Sequence, residues 1–533
     1  MKHLDEIKLP KKWEIILVLL ILSVGVFIRA FHFGISPVGV HQDEAMAAVD
    51  AKALADYGTD RFGMRWPVHF TAWIGGQMSV LLSYCMIPFI KLLGFSTFSI
   101  RLPMLVVSSI GLFALYMLGR RIYGPWLGLI LLLLGVICPW HYMQSRWSFD
   151  CNMFPHVFLF GVVFLLKGLE KKWSLYVAMV FFGLCCYCYG VADYSVPLFL
   201  LAAAVLLWKK EYVRVKELIL CVLIYVIIVL PEFLSMFLTV SGMDSIETPL
   251  FTIPSFLQSF RSRDILFTNF SWTQLWKNTI TTIVVVWGNG DKSITNTIVK
   301  FGPIYYPTTI FFLIGLAVIL VRLIKKEAGT AAVPYLILLF WLAMGFWVGI
   351  ITKEVTINRI NIIFYPTLAT AAVGMLWCVE KCRLLALPFL VGYGAAALLF
   401  ASNYFGEWTE ISRTYYYDPY ISALEYARTL ECDRYYITPD PQGYGVNVGE
   451  ILTLYCHEID ALYYQGVSNM QDERERLPYL ERYHYENVTE EILAENTGQS
   501  VVYLVRAEDV PLFSQEDYQF VSFYDGYYVI SAK

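Results

Sequence analysis

Hydrophobic and polar positions divide this chain into two stretches of different period. Up to about residue 404 long apolar runs alternate with short polar connections; beyond it the apolar pieces shorten. The first run, Trp13 to Phe33, carries no charge between Glu14 and Arg29, and about 20 apolar residues suffice to cross the hydrocarbon of a bilayer. No small-residue cleavage site follows it, so it is expected to remain as a helix rather than leave as a signal peptide. Ten further runs lie at roughly 97–119, 124–145, 153–169, 173–190, 194–208, 215–239, 303–323, 331–351, 360–379 and 384–404. Two of them, 153–169 and 194–208, are short for spans.

The connection 34–96 contains a moderately apolar piece, Gly75 to Leu93, that decides the topology of everything after it. If it lies flat in the interface, the chain has 11 spans with the N-terminus in the cytoplasm. The inner connections then hold Arg120, Arg121, Lys171, Lys172, Lys209, Lys210, Lys325 and Lys326, while the short outer turns near 146–152, 190–194 and 352–359 hold only Arg146, Lys353 and Arg359. Inner loops rich in Lys and Arg are the general rule for membrane proteins. A crossing at Gly75–Leu93 inverts the pattern, so the flat reading is adopted. The outer face then receives segments 34–96 and 240–302 and everything after residue 404.

Residues 405–533 mix strand-like pieces (Tyr435–Thr438, Val501–Val505, Gln519–Phe523, Tyr527–Ile530) with helix-like ones (Tyr420–Leu430, Val448–Leu454) and turn signals such as Asp525-Gly526. A small extracytoplasmic α/β domain is expected, attached to an all-α polytopic membrane domain over residues 1–404.

Composition sharpens the split. The mean hydropathy of +0.55 is that of a membrane protein. A net charge of −4 hides 23 acidic and 8 basic side chains in residues 405–533 against 21 acidic and 32 basic before them. The acidic, Tyr-rich tail argues against nucleic acid as a partner. Most of the 11 Cys fall in apolar runs, where a thiol packs as a small hydrophobe. Cys432 and Cys456 are the pair in the tail, able to join as a disulfide if the tail lies outside the cytoplasm. No metal-ligand spacing and no Asp-x-Asp pair in the outer loops is present, so neither metal nor other cofactor is expected.

Chemistry concentrates on the outer face. His41-Gln-Asp43-Glu44 follows the first span at once, where a carboxylate is either a solvated boundary residue or the floor of a site. Arg146 and Asp150 close the third span, and Asn358-Arg359-Ile-Asn361 opens a late one. His69 stands in the first outer segment; Arg261 and Arg263 stand in the second, as a solvated loop or as phosphate partners. Arg101 reads as an interfacial Arg with its head in water, and His141 and His156 as packed rings. Carboxylates for proton removal beside cations for phosphate are what sugar transfer from a lipid phosphate needs: the leaving phosphate is a weak base, so a base for the attacking hydroxyl and positive charge for the leaving group suffice.

His41-Gln-Asp-Glu-Ala45, Asp56-Tyr-Gly-Thr-Asp-Arg-Phe-Gly-Met-Arg-Trp-Pro67, Arg101-Leu-Pro103 and Cys138-Pro-Trp-His141 with Ser145-Arg146 together resemble the bacterial branch of the protein O-mannosyltransferase and aminoarabinose transferase superfamily. The resemblance covers about residues 13–404 and is strongest up to Asn152. It implies a GT-C fold glycosyltransferase that takes a monosaccharide from a polyprenyl-phosphate donor, by single inverting displacement, to a hydroxyl or amine on a protein or on a cell-envelope glycan or lipid, in contact with membrane lipids. It implies catalytic roles for Asp43, with Glu44 beside it, and for Asp150, with Arg359 on the donor phosphate; His41, Arg146, His69, Arg261 and Arg263 complete the expected substrate-binding set. The Lys that aminoarabinose transferases place before their flat helix has no counterpart; His69 and Gln77 stand there. A transporter or flippase of lipid-linked sugars is the alternative, and an outer-face scaffold a third. Polar residues clustered at one face, without inverted halves, speak against transport through the midplane.

Overall fold

The computed structural model describes residues 9–72, 75–256, 271–439, 446–467 and 477–533. The first apolar run is helix α1 (Lys11–Ala30). Glu14 and Arg29 within it are both engaged inside the protein. Glu14 accepts from Tyr116 and from Arg120 Nε (2.7 Å), and fully buried Arg29 donates to Gly25 O, Gly135 O and His141 Nδ1 at 2.9–3.0 Å.

The segment assigned to the outer face follows: helix α2 (Gln42–Tyr57), a two-strand hairpin of β1 (Phe70–Thr71) and β2 (Gln77–Met78), and helix α3 (Leu81–Leu93). At about 1.5 Å per residue, the 13 residues of α3 reach about 20 Å, less than the roughly 30 Å of a hydrocarbon core. Then come α4 (Thr97–Tyr123), α5 (Pro125–Ile137), the short α6 (Pro139–Gln144), α7 (Asp150–Lys167), α8 (Trp173–Cys185), α9 (Ala192–Lys209) and α10 (Val215–Ser241). The run expected as one span over 124–145 is broken between α5 and α6, because Pro139 cannot continue the helix; Trp140 N turns to Pro303 O instead (2.9 Å).

The outer segment 240–302 is not plain loop. It holds the small hairpin β3 (Ile246–Glu247) and β4 (Thr252–Ile253) and helix α11 (Trp272–Trp287), which packs on α13 (Ala332–Ile351) through Asn278, a donor to Ile350 O (3.0 Å) and Thr352 O (2.5 Å). Its polar contacts are what hid it from hydropathy. The membrane domain is completed by α12 (Pro307–Ile324), the single turn α14 (Ile357–Ile360), α15 (Phe364–Lys381) and α16 (Ala386–Asn403). Helices α12 and α15 approach backbone to backbone at Gly315 and Gly374, where any Cβ overlaps a carbonyl of the other helix; small residues at helix contacts are the usual means of close packing in lipid. Among the described residues nine helical stretches are long and apolar enough to cross a membrane, and α3, α5 and α8 are shorter apolar helices. The chain is a multi-pass membrane protein.

After α16 the chain bends through residues 404–408 into α17 (Thr409–Tyr415) and α18 (Asp418–Arg428). With α19 (Val446–Cys456) these lead into a five-stranded sheet of β5 (Arg434–Ile437), β6 (Tyr483–His484), β7 (Val501–Arg506), β8 (Tyr518–Ser522) and β9 (Tyr527–Ala532) in the order β6-β5-β7-β9-β8. Strand β5 is parallel to β6 and β7; β9 is antiparallel to β7 and β8. Cys432 and Cys456 are both free thiols. The tail is seated on the outer segment rather than hung from it. Helix α19 packs on α2, Val40 N donates to Tyr416 O (2.8 Å), Thr97 Oγ1 meets Tyr455 Oη (3.0 Å), and Gln465 Nε2 donates to Asp60 O and Arg61 O (3.2 Å each).

Candidate active site at the outer ends of the helices

Helix α2 starts three residues beyond Gly39, whose positive φ of 80° and tight packing on Tyr416 O exclude a side chain. His41 is the N-cap: its Nδ1 accepts from Asp43 N (3.2 Å), and Glu44 Oε2 accepts from His41 N in return (3.2 Å). Because neighbouring helical residues point about 100° apart, the two acids of the pair part company. Glu44 turns inward and is fully buried. Arg101 Nε and Nη2 grip its two oxygens at 2.9 and 2.8 Å, and Ser148 N donates to Oε1 at 2.7 Å. Asp43 keeps 19% of its side chain exposed, 3.4 Å from His41 Nδ1.

Asp150 opens α7, where its charge faces the positive end of the helix dipole; its Oδ1 accepts from Cys151 N (2.7 Å). The Cys151 thiol feels both the Asp150 and the Asp43 carboxylates, so the two acids share one neighbourhood. Asn361 donates to Cys151 O at 2.7 Å and ties the α14 turn to the same spot. Arg359, on that turn, donates to Thr352 Oγ1 (3.4 Å) and Glu354 O (3.3 Å). Tyr189, in the turn after α8, feels both Asp150 and Arg359. Asp43 and Asp150 thus share Cys151 as a neighbour, and Asp150 and Arg359 share Tyr189.

Other expected site residues are committed elsewhere. Glu44 is an anchor, since both its oxygens are spent on buried donors. Arg146 is fully buried and caps the end of α1: Nε donates to Ser36 O (3.1 Å), Nη1 to Arg29 O (2.6 Å) and Nη2 to His32 O (2.9 Å) and Ser36 O (3.0 Å), between the rings of Tyr142, Tyr404 and Phe405. A substrate phosphate has to displace four such contacts to reach it. His41 serves as a helix cap with its ring against Trp147 (5.4 Å). His69 is sealed from solvent, its Nε2 3.3 Å from Glu232 Oε1 on α10, and so faces the protein interior rather than a substrate. Arg261 and Arg263 lie outside the described residues.

Arg101, expected as an interfacial Arg with its head in water, is instead wholly enclosed, donating also to Pro37 O and Gly39 O (2.8 Å each). A signal was present: a Glu placed after a span and destined for burial needs a cationic partner. Tyr189 carried no comparable signal, and Asn361 stood in the Asn358–Asn361 motif without a role of its own.

This arrangement, with its catalytic candidates at one end of the apolar helices and a mixed sheet above them, defines the GT-C type of membrane protein. Residues 78–234 match the family described as dolichyl-phosphate-mannose-protein mannosyltransferase; Asp150 falls inside that segment, Asp43 and Arg359 outside it. No curated protein matches the sequence. Among solved structures, ArnT from Cupriavidus metallidurans bound to undecaprenyl phosphate is similar with a TM-score of 0.56 at 13% identity, over 98% of this chain and 98% of that one. The oligosaccharyltransferase of Archaeoglobus fulgidus in its apo form is similar with a TM-score of 0.52 at 13% identity, over 97% of this chain and 74% of that one. At such identities the fold is what is shared. The family match is confined to that segment, and what the chain shares over its whole length is the GT-C fold.

Proposed function

We propose that this enzyme transfers a monosaccharide from a polyprenyl-phosphate carrier to an acceptor hydroxyl on the outer face of the plasma membrane, by one inverting displacement. The acceptor oxygen attacks the anomeric carbon, the bond from that carbon to the phosphate oxygen breaks, and the acceptor proton passes to Asp43. Arg359 receives the charge that gathers on the departing lipid phosphate, where a guanidinium offers paired donors that an ammonium lacks. Asp150 holds the acceptor hydroxyl in line. No metal takes part in these steps, since a base and a cation supply both requirements. The observation behind this reading is the meeting of Asp43, Asp150 and Arg359 around Cys151 and Tyr189. The solved relative that holds undecaprenyl phosphate supports a lipid phosphate as the leaving group.

Two variants test it with purified protein and a polyprenyl-phosphate sugar. Asp43→Asn keeps donor binding and lowers turnover on the order of 100-fold, the usual contribution of a positioned base. Arg359→Ala weakens donor binding, and Arg359→Lys recovers part of it. Near-normal turnover in Asp43→Asn with none in Asp150→Asn moves the base to Asp150; unchanged donor affinity in Arg359→Ala removes that residue from the site.

A further inference from the structure

A second polar cavity lies where the tail meets the outer segment. It has a volume of about 270 Å³, and Met46, Arg61, Phe62, Thr71, Glu450 and Tyr464 line it. Neither domain forms it alone. At roughly 30 Å³ per water molecule it holds about nine, the room of a sugar ring with its hydroxyls.

Its position relates it to the candidate base. Asp43, Met46 and Asp50 are spaced i, i+3 and i+7 along α2, one stripe of the helix. Asp50 binds Arg61 through its backbone N (3.1 Å) and its guanidinium, and Arg61 Nη2 donates onward to Thr71 O (2.7 Å). The cavity therefore begins one helical turn from Asp43, by way of Met46. Asp150 and the Arg359 turn reach Asp43 by way of Cys151. In an in-line displacement the acceptor enters opposite the leaving phosphate, and the cavity approaches Asp43 through Met46 rather than through Cys151.

The lining selects the ligand. The rings of Phe62 and Tyr464 pack against each other, tilted by 57° with centroids 6.0 Å apart, and form an apolar wall of the cavity. Glu450 Oε1 is oriented by the hydroxyls of Tyr464 (3.3 Å) and Tyr479 (3.4 Å), which leaves Oε2 to accept from a ligand hydroxyl. Arg61 is already neutralised by Asp50, and the tail carries 23 acidic against 8 basic side chains. An anionic acceptor is repelled there. An extended peptide, at about 3.3 Å per residue, calls for a groove rather than a compact cavity. Resting on the transferase reading above, we propose that this cavity is the acceptor subsite and that it takes a neutral saccharide.

The test is equilibrium binding to the full chain in detergent. The probes are a panel of neutral methyl hexosides and disaccharides, the blocked tripeptide acetyl-Ala-Thr-Ala-amide, and a polyprenyl phosphate. At least one saccharide binds the wild type. Its affinity falls by about tenfold or more in Glu450→Gln and in Tyr464→Ala, the scale of one hydrogen bond to a charged group, while polyprenyl-phosphate affinity and thermal unfolding stay as in wild type. Saccharide affinity unchanged in both variants overturns the proposal. So does the absence of saccharide binding to the wild type, or tripeptide binding that depends on Glu450. Arg359→Ala serves as the separate arm: unchanged polyprenyl-phosphate binding there defeats the donor reading, whatever the saccharide arm gives.

Discussion

At the scale of single residues, the adjacent acids Asp43 and Glu44 show how one helical step separates two fates. Glu44 and Arg101 form a buried ion pair whose hydrogen bonds are filled from Pro37, Gly39 and Ser148. Removing one member of such a pair leaves the other charge buried without a counter-ion and costs about 3–5 kcal/mol. Glu44→Gln is therefore expected to lower the unfolding temperature sharply, and its residual folded fraction to turn over far better than Asp43→Asn. A thermal melt beside an activity assay separates the two. A Glu44→Gln protein that melts like wild type removes the anchoring role.

At the scale of elements, the turn between α2 and β1 buries two charged side chains, Asp60 and Arg61. Asp60 Oδ1 accepts from Phe62 N (3.0 Å) and Met64 N (2.8 Å), which shapes the turn. Burial, and then the neighbouring Asp50 carboxylate, push the Asp60 carboxyl from the ordinary 3.8 up to about 7; the Arg61 guanidinium pulls the other way. The folded chain thus holds a proton that the unfolded chain releases. That stabilisation is complete below the ordinary value and is lost as pH rises toward 7. Between pH 4 and 7 the wild-type unfolding temperature is expected to fall relative to Asp60→Asn, which lacks the titrating group. Parallel pH profiles for the two proteins mean that Asp60 does not titrate in this range.

At the scale of the whole molecule, the topology carries a test within its native residues. Cys382 is exposed and sits between Lys381 and Arg383, in a connection assigned to the cytoplasm. Ser514 is exposed on the tail, on the other side. A membrane-impermeant maleimide added to intact cells should label Ser514→Cys and leave Cys382 untouched until the membrane is opened. Labelling of Cys382 from outside means that the Gly75–Leu93 segment crosses and that the orientation is inverted. The same scale explains the tail. Its acidic composition marks it as a separate domain, yet α19 is packed on α2 and Tyr455 on Thr97, so it forms a roof over the outer segment and shares a cavity with it.

What the amino-acid sequence by itself determined is whatever local burial dictates: the apolar runs from Trp13 to residue 404, the strand and helix pieces of the tail, and the placing of Asp43, Asp150 and Arg359 at the ends of runs. Transfer of apolar side chains out of water acts residue by residue and leaves its period in the chain. Helix α11 escaped because Asn278 and Thr282 face a neighbouring helix, and a polar residue satisfied by a partner looks in sequence like one satisfied by water. Only the tertiary structure decided which charges are fasteners. Arg101 and Arg146 are spent on carboxylate and carbonyl oxygens far away in sequence, whereas Asp43 stays accessible beside His41. A charge is defined by its partner, and in this protein the partners of the charged side chains lie 57 residues away for Glu44 and Arg101 and 117 for Arg146 and Arg29, beyond the reach of any local pattern.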